Sequence, residues 1–385
     1  MQSRICDLLK IDFPLVAFSH CRDVVVEVSK AGGMGVLGAV GLSPEALEVE
    51  LDWIDAHVDG RPYGVDVLIP GTMAGKDEHH GADELVRQIP ATHKRFTEQI
   101  LARHGIDGAT IDDTERVRSA GFAENLRADG AARLLDVAFG HPIGLVANAL
   151  GVPPQDMLAR GKAHGVPVAA LVGAKEHAVR QVAAGVDILV VAGGEAGGHC
   201  GDVSTIVLVP EVYAAVREFN VPILAAGGIV TGSQMAACMA MGADGAWTGS
   251  VWLTTSEAET APAVKEKMLS AGSRDTVRSK SRTGKYSRQL RSAWTDAWES
   301  EAAPAPLPMP LQSILTGPAL ARVDQLADGG HEGARQLATY WVGQGVGLMN
   351  TPLSTRAVVA AFMEDFIDAT ERLQGFLAAD VHPSS

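Results

Sequence analysis

The sequence predicts an α/β chain closed into a (β/α)8 TIM barrel, and three observations predict it. Short runs recur that are apolar throughout instead of alternating, the pattern of strands buried on both faces. Helix-like segments separate the runs and close on glycine just before the next one, at Ala31-Gly32, His164-Gly165-Val166, Ala184-Gly185-Val186 and Met241-Gly242-Ala243. A glycine there ends a helix and turns the chain into a parallel strand. The runs number eight, so a closed barrel is the first choice and an open doubly wound sheet the second.

In order, Phe13–Phe18 is the first strand and Asp23–Ala31 its helix, and Gly35–Val40 is the second strand. Ser43-Pro44-Glu45 starts the next helix, with serine as cap, proline at the first helical position and an acid in the first turn. Leu47, Leu51 and Ile54 line its buried face at i, i+4 and i+7. Tyr63–Ile69 is the third strand. Residues 71–135 are polar and helix-like, and they read as a helical insert ahead of the fourth strand, Pro142–Ala147. A helix from about Pro154 to His164 follows, then the strand Val166–Val172, the helix Ala174–Ala184 and the strand Val186–Ala192. Pro210 is expected to open the next helix. Val221–Ala226 is the seventh strand, Thr231–Met241 its helix and Ala243–Thr248 the eighth strand.

Three divisions follow: a barrel over 1–255 that carries the 71–135 insert, a cap or lid over 256–340, and a returning barrel helix with its tail over 341–385. The proline-rich stretch 302–310 of the cap cannot be regular helix. Ser354 or Thr355 caps the returning helix, whose Val359, Phe362, Met363, Phe366 and Leu373 should share one buried face.

With 46% apolar and 20% charged residues a sizeable core is expected. A net charge of −14 argues against nucleic acid or an anionic membrane as partner. The four cysteines, Cys6, Cys21, Cys200 and Cys238, have neither CxxC nor zinc-finger spacing, which fits a reduced, cytoplasmic chain without a metal. No leader-like or bilayer-length apolar segment is evident.

The chemistry should lie at the carboxyl ends of the strands. After the sixth strand comes Gly193-Gly194-Glu195-Ala196-Gly197-Gly198-His199-Cys200-Gly201, five glycines of nine around one imidazole. Glycines let backbone N–H groups approach a ligand, and a histidine there titrates near neutral pH. After the seventh strand comes Ala226-Gly227-Gly228-Ile229, with Thr231 opening a helix, and after the eighth come Gly249 and Ser250. Such turns and a helix N-terminus offer donors to a phosphate.

Other signals read more simply. Gly33-Met34-Gly35-Val36-Leu37-Gly38 matches GxGxxG but has helix before and strand after, the reverse of a dinucleotide fingerprint. Asp77-Glu78-His79-His80 lacks a metal-protease spacing, and Ser19-His20-Cys21 lacks a nucleophile elbow. Cys200 is a small neighbour of His199. The basic cluster Arg274, Arg278, Lys280, Arg282, Lys285, Arg288 and Arg291 is either a solvated face or, in a cap, a grip on an anionic ligand.

Taken together these motifs resemble the nitronate monooxygenase (2-nitropropane dioxygenase) family, which includes flavin-dependent enoyl-ACP reductases. The matches are Glu195-Ala196-Gly197-Gly198-His199, Ala226-Gly227-Gly228-Ile229, Gly242-Ala243-Asp244-Gly245 through Gly249-Ser250, the early Ala31 to Gly38, Thr283-Gly284-Lys285, and Trp341, Gly343, Gln344, Gly347 and Leu348. The resemblance implies an FMN-binding barrel with phosphate at Gly227, Gly228, Gly249 and Ser250. Gly197, Gly198, Glu195, Gln344, Ala17 and Ser19 complete the implied cofactor set, and His199 is the implied catalytic acid or base. It also implies oxidation of alkyl nitronates or nitroalkanes with O2. The alternative is NAD(P)H-dependent reduction of an enoyl- or keto-acyl thioester, and a flavin-free isomerase or aldolase barrel is the distant one. A homodimer is compatible with all three. The chain departs from the family's usual pattern at Phe18-Ser19, where Pro-Met is common, and at Asp66, where Asn is common.

Overall fold

Residues 3–69, 81–108 and 111–379 are described by the structure, a computed structural model. Eight parallel strands form the closed barrel: Leu15–Ser19 (β1), Met34–Gly38 (β2), Tyr63–Val67 (β3), Leu145–Asn148 (β4), Val168–Val172 (β5), Ile188–Ala192 (β6), Ile223–Ala226 (β8) and Gly245–Thr248 (β9). A two-residue strand, Gly198–His199 (β7), lies outside it. The circle closes where Leu15, Val16 and Ala17 pair with Ala246, Trp247 and Thr248.

The strands are apolar on both faces because both faces are buried. Val16, Met34, Val36, Leu145, Ala147, Ile188, Val190 and Leu224 fill the lumen. Tyr63, Val65 and Val67 face outward, against the helices Pro44–His57 and Ala128–Ala138. Helix ends follow the sequence: Ser43 Oγ accepts the Ala46 N–H at 3.1 Å, and Gly165, Gly185 and Gly242 stop their helices at φ +68°, +93° and +110°.

Some expectations are corrected. Pro210 does not open its helix, which runs Thr205–Val216 with Pro210 inside. The start moves back to Thr205 because the Glu195 carboxylate accepts the Thr205 N–H at 2.8 Å, and that bond pins the first turn. Leu373 does not share the buried face of the last helix, Thr355–Ala379; it is 48% exposed, whereas Val359 and Phe362 are buried. Every residue from 371 to 376 is exposed, so the helix runs on past the barrel wall. Ser354 is its cap, with Oγ accepting the Ala357 N–H at 3.2 Å.

Between β3 and β4 stand the helices Ala82–Arg87, Ala91–Arg103, Asp113–Ser119, Phe122–Asn125 and Ala128–Ala138. Asp77, Glu78, His79 and His80 lie outside the described residues. Among the described residues after β9, an antiparallel hairpin, Thr276–Ser279 (β10) and Ser287–Leu290 (β11), was not foreseen. Residues 304–308 are irregular, as the prolines require. No helix among the described residues is long and apolar enough to cross a membrane.

Candidate active site

The turn after β6 is glycine because its neighbours leave no room. A Cβ at Gly193 would collide with Thr205, and one at Gly197 would lie 2.8 Å from the Gly343 nitrogen. Glu195 braces this turn. Its carboxylate accepts Thr205 N–H at 2.8 Å and Thr205 Oγ1–H at 2.9 Å, at the positive end of a helix. Its carbonyl accepts the Gln344 N–H at 2.9 Å. Ser250 Oγ accepts the Gly343 N–H at 2.8 Å. The turns after β6 and β9 and the 343–344 loop are thereby tied together, and Gly228 joins them, since a Cβ there would sit 3.0 Å from Glu195 Cβ. Glu195, Gly197, Gly228, Ser250 and Gln344 are brought together, and the Glu195 carboxylate is committed to the frame.

The phosphate donors are fewer than the sequence suggests. The helix Gly232–Ala240 has most of its start satisfied: Ser233 N–H donates to Asp365 Oδ2 at 2.6 Å, and Thr231 and Gln234 form a reciprocal capping box. At that end the Gly232 N–H alone is left without a partner among the described residues. The adjacent glycines add more. Among the described residues no hydrogen bond occupies the N–H of Gly228 or Gly249. Gly227 and Gly228 sit at φ +104° and +72°, and a Cβ at Gly249 would meet only Phe18 Cδ1, at 4.0 Å. Free donors in both turns, with open space at Gly249, fit an anionic group.

The imidazole comes next. β7 pairs antiparallel with β11, His199 against Ser287 and Gly198 against Arg288, so the histidine is held by a three-stranded sheet and not by the barrel. Its Nε2 lies 2.9 Å from Thr283 Oγ1. Desolvation first, and the nearby Lys285 charge second, lower its pKa to about 4. It is therefore a neutral ring at physiological pH. Cys200 beside it keeps its thiol proton, because burial pushes its pKa up against the pull of Arg288 and Arg278.

At the end of β1 the ring of Phe18 lies edge-on to His20 (5.1 Å between centroids) and stacks near Trp247 at 6.4 Å. His20 Nδ1 bonds the Gly38 carbonyl at 3.1 Å, and desolvation lowers its pKa. Ser19 is half-buried, its Oγ accepting the Cys21 N–H at 3.1 Å. Ala17 is not brought to the site by its side chain: it packs in the outer shell, while Val16 and Phe18, its neighbours in the alternation, face the lumen. Asp66 lies in the lumen between the outward-facing Val65 and Val67. It is 4% exposed, its Oδ1 has no hydrogen-bond partner, and burial raises its pKa well above the usual carboxylate range.

The basic cluster divides. Arg282 stacks 4.4 Å from the Trp341 ring and donates to Thr339 O at 2.7 Å, so it is built into the frame. Arg288 Nε donates to Gly194 O at 2.9 Å. Arg291 pairs with Asp296. Arg278 and Lys280 flank the ring of Tyr286 at 4.6 and 4.7 Å. Among the described residues neither has a carboxylate within ion-pair distance. Sequence reasoning missed the β10–β11 hairpin and the Thr283 contact, although Thr283 stood within a noted motif.

Three comparisons bear on this arrangement. The sequence pattern of the family described as nitronate monooxygenase matches residues 2–365. A Mycobacterium tuberculosis protein with a provisional monooxygenase name is 52% identical over 378 residues, covering 98% of this chain and all of that one. Two solved structures share the fold: a nitroalkane oxidase from Streptomyces ansochromogenes (TM-score 0.76, 24% identity, 96% of this chain and 99% of that one) and FabK from Thermotoga maritima (TM-score 0.71, 24% identity, 98% and 99%).

Proposed function

The chain belongs to the nitronate monooxygenase family of oxidoreductases, and from that premise we propose that it is an FMN-dependent enzyme oxidising alkyl nitronates and nitroalkanes with O2. The observation that carries this reading is a neutral imidazole on a loop hydrogen-bonded to the turns that carry the free donors. His199 is held on β7, and the unoccupied N–H groups of Gly228 and Gly249 lie in turns joined to its own loop.

The residues present suit a flavin mononucleotide: two free N–H donors for a phosphate, and an aromatic wall of Phe18 and Trp247 for an apolar ring. Bound there, FMN supplies the electron acceptance and the oxygen chemistry that no side chain offers. Gly227, Gly228, Gly249 and Ser250 hold the phosphate end, with Gly197, Gly198, Ser19 and Gln344 around the remainder. Ala17 contributes by its backbone, and Glu195 by bracing the turn. His199, neutral at working pH, removes the α-proton of a neutral nitroalkane. A nitronate arrives without that proton and needs no base.

His199→Asn should therefore lower kcat/KM for a nitroalkane by about 10²–10⁴-fold, the usual contribution of a positioned base, and spare the matching nitronate. Equal loss on both substrates removes the base from the reading. The cofactor is tested by the visible flavin absorbance of the purified protein under anaerobic conditions. A band that persists on adding NADPH or NADH supports the monooxygenase; no flavin even after FMN is supplied rejects it.

Arg278 and Lys280 favour a second reading, NAD(P)H-dependent reduction of an acyl thioester, whose phosphates would meet these cations. Under it the band bleaches with NAD(P)H, and Arg278→Glu raises KM for an enoyl-CoA. An unchanged KM counts against it. Arg282 is unsuited to that test because its stacking on Trp341 is structural.

A further inference from the structure

The turn after β10 reaches back to the histidine. Thr283 is buried, and its Oγ1 lies 2.9 Å from His199 Nε2, 3.2 Å from the Lys285 carbonyl and 3.3 Å from the Lys285 nitrogen. The turn itself is fixed. Gly284, at φ +79°, donates its N–H to Lys280 O at 3.0 Å and has Leu307 packed where a Cβ would stand. Thr316 Oγ1–H holds the Arg282 carbonyl at 2.9 Å.

A hydroxyl has one proton and two lone pairs. The Lys285 N–H occupies one lone pair of Thr283. If the hydroxyl proton goes to the Lys285 carbonyl, the other lone pair accepts Nε2–H of His199, and Nδ1 keeps its own lone pair. If the proton goes to Nε2 instead, Nδ1 carries the ring hydrogen and the ring's one lone pair, on Nε2, is turned toward Thr283. Only the first arrangement leaves that lone pair unengaged by Thr283 and open to a substrate.

We propose that Thr283 is a positioning residue that holds His199 with its hydrogen on Nε2 and its reactive lone pair on Nδ1. This rests on the reading of His199 as the base. The substrate proton then arrives at Nδ1, the C–H electron pair stays with the nitro-bearing fragment as nitronate, and the ring becomes imidazolium. The Nε2–H bond to Thr283 strengthens as the charge forms. Among the described residues no carboxylate lies within ion-pair distance of His199. The charged groups around it are Lys285 on the turn and Arg278 and Arg288 on the hairpin, whose charges reach the adjacent Cys200. A neutral hydroxyl thus occupies the place that an acid takes behind a triad histidine.

Thr283→Val and Thr283→Ser test it in the flavin-loaded enzyme. The valine variant should lose about 10–100-fold in kcat/KM on a neutral nitroalkane, the loss seen when the partner behind a metal-bound histidine is removed, with a several-fold smaller effect on the preformed nitronate. Serine should rescue it. The ¹⁵N shifts of His199, assigned by their loss in His199→Gln, should report Nε2–H in the parent and a mixture of tautomers in the valine variant. An Nδ1–H ring in the parent, or equal losses on both substrates in Thr283→Val, overturns the proposal. If valine prevents folding, the parent's tautomer still decides. Equal loss on both substrates in His199→Asn instead overturns the base reading alone, whichever tautomer is found.

Discussion

Burial acts on His199 and Asp66 through the same desolvation and in opposite directions. It favours the neutral form of each, so the histidine loses its proton and the carboxyl keeps one. For His199 the consequence is kinetic. The acid limb of kcat/KM on a nitroalkane should lie near pH 4 and not near 6.5, leaving a flat profile between pH 6 and 8. A pH–rate series measures this directly. For Asp66 the consequence is stability. An acid whose pKa is raised by folding holds its proton where the unfolded chain has lost it, so the fold is penalised as pH rises from the ordinary carboxylate value toward the folded one. Asp66→Asn keeps the shape and removes the titration. It should stabilise the fold at pH 8, because the penalty for holding a proton that the unfolded chain has already released is removed. Urea midpoints should show that gain shrinking toward pH 4. Asp66 could be noticed in the sequence as an acid inside an apolar run, but its missing partner could not, because that depends on which strands flank it.

Elements were legible where their signals are local. Ser43-Pro44 and the helix-closing glycines announce helix ends through the next few residues alone. The start at Thr205 needed Glu195, ten positions earlier, and β7 exists only because Ser287 and Arg288 pair with it from afar. Two extended residues amid glycines carry no strand signal of their own. Close approach is another long-range matter. At Gly232 a Cβ would collide with the Phe362 carbonyl on the last helix. Gly232→Ala gains about 0.8–1 kcal/mol of helix propensity at most, against roughly 1–3 kcal/mol for forcing atoms into a packed contact. Packing wins, and the variant should unfold at lower urea. The phosphate cradle was partly legible too: its glycines were in view, whereas the capture of the Ser233 N–H by Asp365 followed from a residue 132 positions from Ser233.

Across the whole molecule, barrel and hairpin share hydrogen bonds at several points. Arg288 clasps Gly194, β11 pairs with β7, and Gly343 and Gln344 bond the turns after β9 and β6. Thermal unfolding followed by far-UV circular dichroism and by tryptophan fluorescence should therefore give one coincident transition. Two separated midpoints would show that the residues after β9 melt on their own. The barrel class was the most legible level because eight similar units repeat the same cue, and repetition averages out local error.

The placement of β7 also bears on how such a chain can be recombined. By sequence His199 belongs to a barrel turn; by hydrogen bonding it belongs to a sheet whose other strands begin nearly eighty residues later. A chimera that exchanged residues 256–340 with those of a homologue would inherit the histidine and lose its register unless Ser287 and Thr283 were matched as well. The unit of inheritance for this site is the pairing between the two segments, and a graft that respects only segment boundaries should give a folded barrel with a misaimed imidazole.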